Sequence, residues 1–294
     1  MDTGADVRDP AAVAAVVEKI GIISRTALLV AHDRALESAR ADGFFRDPWA
    51  AMLAGKVGAE LSAAMSAHPF ACNLDAEGKP GGWPEYHQQW TAVRTKFIDD
   101  ALAAERAAGV AQVVCLGAGV DMRAFRLDAL RGCRLIEVET PEMHEARRVL
   151  VDSLGLEAVC ERKAVCCDVT QTEELARKLE SEGGWDPAKP TVWLLEGLLM
   201  YMSKAAQEDL LSLLGRSSAP GSCAIINFLY APAHGQFGKD ESTAFLRSAG
   251  FDGAVDAHSF GDAVLSYGRY REGLPADEAF SFAVARTQPV EAKS

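Results

Sequence analysis

The sequence is short of positive charge. Its 294 residues include 30 lysines and arginines against 42 aspartates and glutamates, which gives a formal net charge of −12 at pH 7. Nucleic acids and anionic lipid surfaces are bound through dense basic patches, so this balance predicts neither among the partners. A neutral or cationic small molecule fits the composition better, although the composition alone indicates no function.

Several familiar catalytic and metal-binding motifs are also missing. The seven cysteines contain no CxxC pair, the six histidines are scattered, and no P-loop, HExxH or Ser-His-Asp elbow motif occurs. We therefore expect no metal site. Most cysteines lie in apolar runs and are expected to be reduced and buried, and the acidic N-terminus has no signal-peptide pattern. Together these features predict a cytoplasmic protein.

The first part of the chain has helical spacing. It predicts helices over Ala11–Arg40, from Asp47 toward Met65, and over Glu85–Ala108, with Asp47 as the N-cap of the second. We expect residues 1–109 to form a helical N-terminal cap.

After Gly109 the pattern changes, and short apolar runs alternate with helical segments. This alternation is typical of a parallel sheet covered by helices on both faces. The predicted strands are Gln112–Leu116, Arg134–Val138, Ala164–Cys167, Thr191–Leu195, Cys223–Leu229, Ala254–Ser259 and Phe280–Arg286, the last two as an antiparallel hairpin at the end of the sheet. We expect residues 110–294 to form the ligand-binding core, in one compact unit with the cap.

The first predicted strand runs into the turn Gly117-Ala118-Gly119 and then into a helical segment. Glycines at this place let the backbone approach a ligand closely, and the following helix offers unpaired N–H groups. A dinucleotide favours a third glycine, but Met122 stands there, and the carboxylate of Asp121 would repel a pyrophosphate. S-adenosylmethionine has a positive sulfonium and no phosphate, so it suits an acidic turn better. A tight turn without any ligand stays an alternative.

An acidic residue also stands at the tip of the second strand. Glu139 occupies the position where a carboxylate can accept hydrogen bonds from a ribose. Glu137 lies on the same face of the strand and is the competing candidate. We expect Glu137 to be a structural partner of Arg123 or Arg126, because a glutamate inside an apolar strand is costly unless it is paired.

Three more charged residues are expected to lie near the glycine turn and the tip of the second strand, in one ligand crevice. Asp168 ends the third strand, where it either accepts a hydrogen bond from an adenine or caps the next helix. Glu196 ends the fourth strand and is expected to face the ligand crevice of the sheet. Arg94 stands on an apolar helix face and is the natural clamp for a carboxylate, with a surface pair to Asp99 or Asp100 as the alternative.

Taken in order, these segments resemble a known family. RTKFIDD, LGAGVDMRAFRL, EVETP and EGLLMYM, with SRTALLVAHDRALES and DPWAAMLAG before them, are similar to the leucine carboxyl methyltransferase-like family. The closer likeness is to its bacterial branch of S-adenosylmethionine-dependent O-methyltransferases, some of them tied to polyketide biosynthesis. The resemblance covers roughly residues 23–286. It implies a class I methyltransferase fold, a Rossmann-like α/β sheet of seven mostly parallel strands with helices on both faces and an N-terminal helical cap.

The resemblance also implies roles for particular residues. Arg94 would hold the carboxylate of S-adenosylmethionine, Glu139 its ribose, and Glu196 would lie near its methionine part. The full set of cofactor-binding residues implied in this way is Arg94, Gly117, Ala118, Gly119, Glu139, Asp168, Val169 and Glu196. Two positions depart from the family pattern, with EVE in place of EVD and DV in place of DL.

The expected reaction is methyl transfer from S-adenosylmethionine to a carboxylate or hydroxyl oxygen of a small molecule. A carboxylate is already ionised, whereas an alcohol or phenol needs a base, for which His68, His87 and Tyr201 are the candidates. Core packing is the other role open to Tyr201, and the one we expect. Three alternatives stay open: a protein C-terminal carboxyl methyltransferase, an NAD(P)-dependent oxidoreductase and a non-catalytic binding protein. The sequence indicates no oligomeric state.

Overall fold

The computed structural model describes residues 8–65, 83–229, 239–260, 262–268 and 280–288. The candidate base His68 lies outside these residues.

In the described part of the chain, four helices come before the sheet. They are α1 (Pro10–Lys19), α2 (Ile22–Ala39), α3 (Ala50–Met65) and α4 (Trp83–Ala107). The prediction of a single helix over the first two was wrong, because the backbone of Ile20 and Gly21 is extended, with ψ angles of 136° and 167°. Asp9 caps α1 by accepting a hydrogen bond from the backbone N–H of Ala11 at 3.0 Å.

Charged side chains in and after α2 are buried. Asp33, Arg34 and Glu37 are 1%, 7% and 6% exposed. Asp47, expected to cap α3, instead accepts a hydrogen bond from Nε of Arg34 at 3.0 Å. The prediction of Asp47 as the N-cap was therefore wrong. Helix α3 begins at Ala50, and the side chain of Asp47 binds the buried guanidinium of Arg34 and not the N–H groups at the start of the helix.

Seven strands form one sheet within the described residues. They are β1 (Gln112–Leu116), β2 (Arg134–Glu139), β3 (Glu161–Cys166), β4 (Thr191–Leu195), β5 (Cys223–Leu229), β6 (Val255–Ser259) and β7 (Phe280–Arg286). Their order is β3-β2-β1-β4-β5-β7-β6, in which β1 to β5 are parallel and β7 is antiparallel to both neighbours. The predicted fold class and the antiparallel pair at the end of the sheet are confirmed.

Helices cover both faces of the sheet. Those after β1 are α5 (Arg123–Arg126), α6 (Pro141–Leu150), α7 (Thr172–Ser181), α8 (Lys204–Arg216) and α9 (Lys239–Ser248). Successive residues of β1 point to opposite faces. Val113 and Cys115 pack into the apolar cluster that includes residues of α1 to α4, while Val114 and Leu116 pack into the cluster beneath α7, α8 and α9.

Aromatic residues at the start of α4 belong to the first cluster. Tyr86 and Trp90 are 6% and 2% exposed, and the Trp90 ring centre lies 4.4 Å from that of Phe280. Tyr86 and Trp90 therefore pack in the core, where the hydrophobic faces of α4 and β7 meet.

Glu137 is a charged residue in the middle of β2. Its carboxylate forms ion pairs with Arg147 of α6 and with Arg162 of β3. Glu137 is thus a structural partner, as expected, but not of the predicted arginines. Its two partners come from elements that pack directly against β2, and they lie 10 and 25 residues further along the sequence.

We predict that Glu137→Gln lowers the free energy of unfolding by about 3–5 kcal/mol, because it leaves the buried guanidinium of Arg147 without its carboxylate, whereas Arg162 keeps its pair with Asp152. Glu161→Gln is the matched control. Glu161 is about half exposed and pairs with Arg134 at 3.1 Å, so its loss should cost less than about 1 kcal/mol. Urea unfolding of the two variants measures both values, and equal losses would contradict the assignment of the buried ion pair.

Candidate functional site

The glycine turn lies where β1 ends, at the edge of the sheet formed by the carboxyl ends of its parallel strands, here called the carboxyl edge. Gly117 and Gly119 have φ angles of +70° and +52°, a conformation that favours glycine. A Cβ on Gly119 would lie 3.1 Å from the methyl group of Ala27, which belongs to α2. The turn thus lies close to α2. In the sheet, β1 stands between β2 and β4, so the strand order reverses direction at β1, and ligands of such sheets bind at this topological switch point.

Arg147 of α6 fixes the backbone of the glycine turn. Its Nη1 donates to the carbonyl of Gly119 at 2.6 Å and its Nη2 to the carbonyl of Asp121 at 3.1 Å, while Glu137 neutralises its charge. Sequence reasoning missed this residue, because an arginine on an amphipathic helix gives no sign that it points inward. The buried ion pair of β2 therefore also determines the shape of the glycine turn.

Glu139 is the last residue of β2, and it is 8% exposed. Its carboxylate accepts a hydrogen bond from the backbone N–H of Gly119 and another from that of Thr140 at 3.3 Å. Burial raises the pKa of Glu139, although these hydrogen bonds act in the opposite direction. The structure thus brings Glu139 to the glycine turn, as predicted.

Arg94 and Glu196 meet at the end of β4. Nε of Arg94 donates to Glu196 at 2.8 Å, and Nη1 of Arg123 donates to the other oxygen of Glu196 at 2.5 Å. Arg94 is 4% exposed, and its guanidinium carbon lies 5.5 Å from the centre of the Trp90 ring. The alternative of a surface pair with Asp99 or Asp100 is wrong. Within the described residues, the two terminal nitrogens of Arg94 donate to no group.

Arg94 is one end of a longer chain of buried ion pairs. In it, four arginines alternate with acidic side chains from different elements. The links run from Arg34 to Asp47, from Asp47 to Arg126, from Arg126 to Asp99, from Asp99 to Arg123, and from Arg123 through Glu196 to Arg94, with Asp121 as a further partner of Arg123. The N–O distances range from 2.5 Å for Arg123 and Glu196 to 3.9 Å for Arg126 and Asp47. We call this set the ion-pair chain.

The ion-pair chain changes the acidity of its members. Burial alone would raise the pKa of Asp121, but the positive charges of Arg123 and Arg126 outweigh it and hold the pKa well below its usual range. Burial likewise opposes ionisation of Glu196, and Arg123 and Arg94 outweigh it, so the pKa of Glu196 is also lowered. Both carboxyl groups are therefore ionised at neutral pH.

Asp168 and Val169 follow β3 on the same edge of the sheet. Val169 is buried, whereas Asp168 is exposed and accepts hydrogen bonds from the N–H and hydroxyl of Thr170 at 2.9 and 2.8 Å. The alternative role of Asp168 as a helix cap is wrong, because Gln171 occupies the N-cap position of α7.

Two of the candidate bases lie in the described part of the chain. Tyr201 is 44% exposed, so the expectation of core packing was wrong for it, and its hydroxyl lies 3.1 Å from that of Thr26 at the start of α2. His87 lies on α4, where its Nδ1 is hydrogen-bonded to Asp33. The sequence did not identify Asp33 as the partner of His87, because the spacing of Asp33 on α2 is that of a solvated charge.

Within the described residues, no helix has both the length and the apolar character needed to cross a membrane. The same residues include no group of three or more histidines, cysteines, aspartates or glutamates arranged to hold a metal ion.

The strand order and the glycine turn at the carboxyl edge define a class I methyltransferase fold. A crystal structure of a DUF574 family protein from Streptomyces avermitilis superposes with a TM-score of 0.51 at 16% identity, covering 87% of this chain and 96% of that one. The chain belongs to the leucine carboxyl methyltransferase family, whose sequence profile matches residues 27–215.

Relatives support the same family. A protein of Parafrankia sp. is 42% identical over 200 residues, which are 68% of this chain and 61% of that protein. A protein of Mycolicibacterium smegmatis is 37% identical over 200 residues, covering 68% and 62%. Both bear the name S-adenosyl-L-methionine-dependent methyltransferase. The matched region spans about three fifths of the length of these relatives.

We predict that acid destabilises the protein through the ion-pair chain. A carboxyl group with a lowered folded-state pKa contributes stability above its unfolded value of about 4 and loses this contribution as the pH falls through the folded value. The free energy of unfolding, measured in urea from pH 7 to pH 3, should decline progressively below about pH 5.

Asp121→Asn should make this decline shallower, because one of the responsible groups is removed. Asp128→Asn is the matched control, since Asp128 is 81% exposed and its pair with Arg131 is screened by solvent. Identical pH dependence in the two variants would contradict the role given to Asp121.

Proposed function

We propose that the protein is an S-adenosylmethionine-dependent O-methyltransferase, which transfers a methyl group to a carboxylate or hydroxyl oxygen of a small molecule. The observation that supports this most directly is the state of Arg94. Its Nε is fixed by Glu196, while its terminal nitrogens have no partner within the described residues and Nη1 lies beside Gly197. Two parallel N–H groups fixed in this way suit the carboxylate of an amino acid.

The other donors and acceptors at the carboxyl edge fit the same cofactor. Glu139 has one carboxylate oxygen that receives only the long hydrogen bond from Thr140, so it can accept hydrogen bonds from ribose hydroxyls. Asp121 and Glu196 are ionised and lie near the glycine turn, where they favour a positive sulfonium. We propose the cofactor-binding set given by the family resemblance, with Asp168 and Val169 beside the adenine.

A nicotinamide dinucleotide is the second candidate for this edge. Its pyrophosphate would lie close to the ionised Asp121, and Arg147 does not offset that repulsion, since its guanidinium is occupied by Glu137 and by the turn itself. The charges therefore favour S-adenosylmethionine.

When bound, S-adenosylmethionine supplies a methyl group on a positively charged sulfur. The protein's own residues have the task of orientation and desolvation. Arg94 fixes one end of the ligand, Glu139 another, and the turn at Gly117 and Gly119 allows the backbone to approach. Because Arg94 is held between Glu196 and the Trp90 ring, its position is set before any ligand binds.

We further propose that residues 1–109 act as a cap over the carboxyl edge of the core formed by residues 110–294. Two helices of the cap reach the site: α2 lies over the glycine turn through Ala27, and α4 provides Arg94. A cap of this kind would exclude water from the site and shape the pocket of the acceptor.

We predict that Arg94→Ala weakens binding of S-adenosylmethionine by about 1.5–3 kcal/mol, the scale of a charged hydrogen bond. This corresponds to an increase of roughly 10- to 150-fold in Kd, measured by titration calorimetry. Lys96→Ala is the matched control on the same helix, because Lys96 pairs with Asp100 at the surface and should leave the Kd unchanged.

Two outcomes would contradict these proposals in different ways. An unchanged Kd for Arg94→Ala would remove Arg94 from the binding site. Tight binding of NADH by the wild-type protein without binding of S-adenosylmethionine would overturn the proposed function itself.

A further inference from the structure

A buried amide near the end of β5 has an unused hydrogen-bond donor. Asn227 is 0% exposed, and Oδ1 of its side chain accepts a hydrogen bond from the backbone N–H of Gly197 at 2.7 Å. Its Nδ2 has no hydrogen-bond partner within the described residues. Buried polar groups in folded proteins are nearly always paired, so a buried donor without a partner calls for an explanation.

The orientation of this amide is fixed by its one hydrogen bond. A backbone N–H can only donate, so the atom of Asn227 that faces Gly197 must be the oxygen and not the nitrogen. Exchanging the two atoms would set one donor against another. The donor without a partner is therefore Nδ2. It lies beside the turn that follows β4, because it is bonded to the same carbon as Oδ1.

The strand register places Asn227 in the row of residues that forms the candidate site. The parallel registers of β2, β1, β4 and β5 continue in step to the carboxyl edge. The residues that they align there are Glu139, Gly117, Glu196 and Asn227. Neighbouring strands lie about 4.8 Å apart, so Asn227 is one strand from Glu196 and two strands from the glycine turn.

Asn227 also lies on the face of the sheet that α4 covers. Residues two apart on a strand share a face, and Ile225 packs into the apolar cluster that includes residues of α4. From α4, Nη1 of Arg94 lies 3.6 Å from the position that a Cβ on Gly197 would take. Donors from a helix and from a strand, each without a partner in the described part of the chain, therefore flank Gly197.

We propose that Asn227 is a further cofactor-binding residue, whose Nδ2 donates a hydrogen bond to the carboxylate of S-adenosylmethionine alongside Arg94. This inference rests on the proposed function and adds a residue to its binding set. At the methionine end of the cofactor the ammonium has no lone pair and the sulfonium is positively charged, so the carboxylate is the group that accepts. Its two oxygens have room for the amide as well as the guanidinium.

The type of side chain in the row supports this role. Glu139 and Glu196 present carboxylates at the carboxyl edge, and both accept hydrogen bonds from protein donors. The row changes to a neutral amide at Asn227. A carboxylate at that position would repel the carboxylate of the ligand, whereas an amide offers it an N–H.

The first experiment measures binding with and without the carboxylate of the ligand. Wild-type protein and Asn227→Ala are titrated by calorimetry with S-adenosylhomocysteine and with 5′-methylthioadenosine, which keeps the adenosine and the thioether but has no amino acid end. We expect the Kd of S-adenosylhomocysteine to rise about 10- to 100-fold in the variant, the scale of a hydrogen bond to a charged group. The Kd of 5′-methylthioadenosine should stay nearly unchanged.

Asn227→Asp separates the donor from the oxygen that holds the turn. Its carboxylate can still accept the hydrogen bond from Gly197 but has no N–H to offer. S-adenosylhomocysteine should therefore bind to it no more tightly than to Asn227→Ala.

Gln112→Ala is the matched control for the loss of a buried amide. Gln112 lies at the start of β1, at the opposite edge of the sheet, and is 4% exposed. Its Nε2 already donates to the hydroxyl of Thr191 at 2.8 Å. In the folded protein this variant should leave both Kd values unchanged.

A second measurement observes Asn227 in the unaltered site. The chain contains two asparagines, Asn73 and Asn227, so protein labelled with ¹⁵N in its asparagine side chains gives two pairs of amide signals. In Asn73→Gln only the pair of Asn227 is left, which assigns it. S-adenosylhomocysteine should move one of the two Nδ2 protons downfield, because it forms a hydrogen bond to the carboxylate, and 5′-methylthioadenosine should not.

The outcomes separate this inference from the proposed function. The role of Asn227 is overturned by an unchanged Kd of S-adenosylhomocysteine in Asn227→Ala, by wild-type affinity in Asn227→Asp, or by amide signals that do not respond to S-adenosylhomocysteine. An equal loss of affinity for 5′-methylthioadenosine also overturns it, because it indicates a general disturbance of the site. All four results leave the proposed function standing. Wild-type protein that binds neither S-adenosylmethionine nor S-adenosylhomocysteine overturns both.

Discussion

The geometry of the carboxyl edge depends on the ion-pair chain that runs from Arg34 to Arg94. A buried charge costs several kcal/mol unless a partner of opposite sign is held against it, so each side chain in the chain is fixed by the next. Its members come from α2, from α4, from the segment before α3, from α5 and from the end of β4. The helices before the sheet and the sheet itself therefore cannot separate without leaving a buried charge unpaired.

The net charge of −12 is not concentrated in the ion-pair chain, where four arginines balance four carboxylates. Two other buried carboxylates near the edge, Glu139 and Asp33, form no ion pair with an arginine within the described residues. Backbone N–H groups hold Glu139, whereas Thr91 and His87 hold Asp33. Under the proposed function the second carboxylate oxygen of Glu139 meets the ribose hydroxyls, so the site separates structural charges from a charge that acts on the ligand.

The sequence predicted the strands well and the buried charges poorly, and both results have a physical cause. A strand buried on both faces needs a continuous apolar run, which is visible locally, and Glu139 and Glu196 follow directly from where such runs end. Asp33, Arg34 and Arg147 lie on helices with the spacing of solvated residues. Their partners are far away in the sequence, and only the packing of α2, α4 and α6 against the sheet brings them together.

The same distinction explains why one helix carries so much of the site. Arg94 and Asp99 both stand on α4 but have different partners, Glu196 at the end of β4 and the two arginines of α5. A helix fixes the spacing of its side chains far better than a loop does. Because the ion-pair chain holds α4 through both Arg94 and Asp99, the position of Arg94 is set by the fold and not by the ligand.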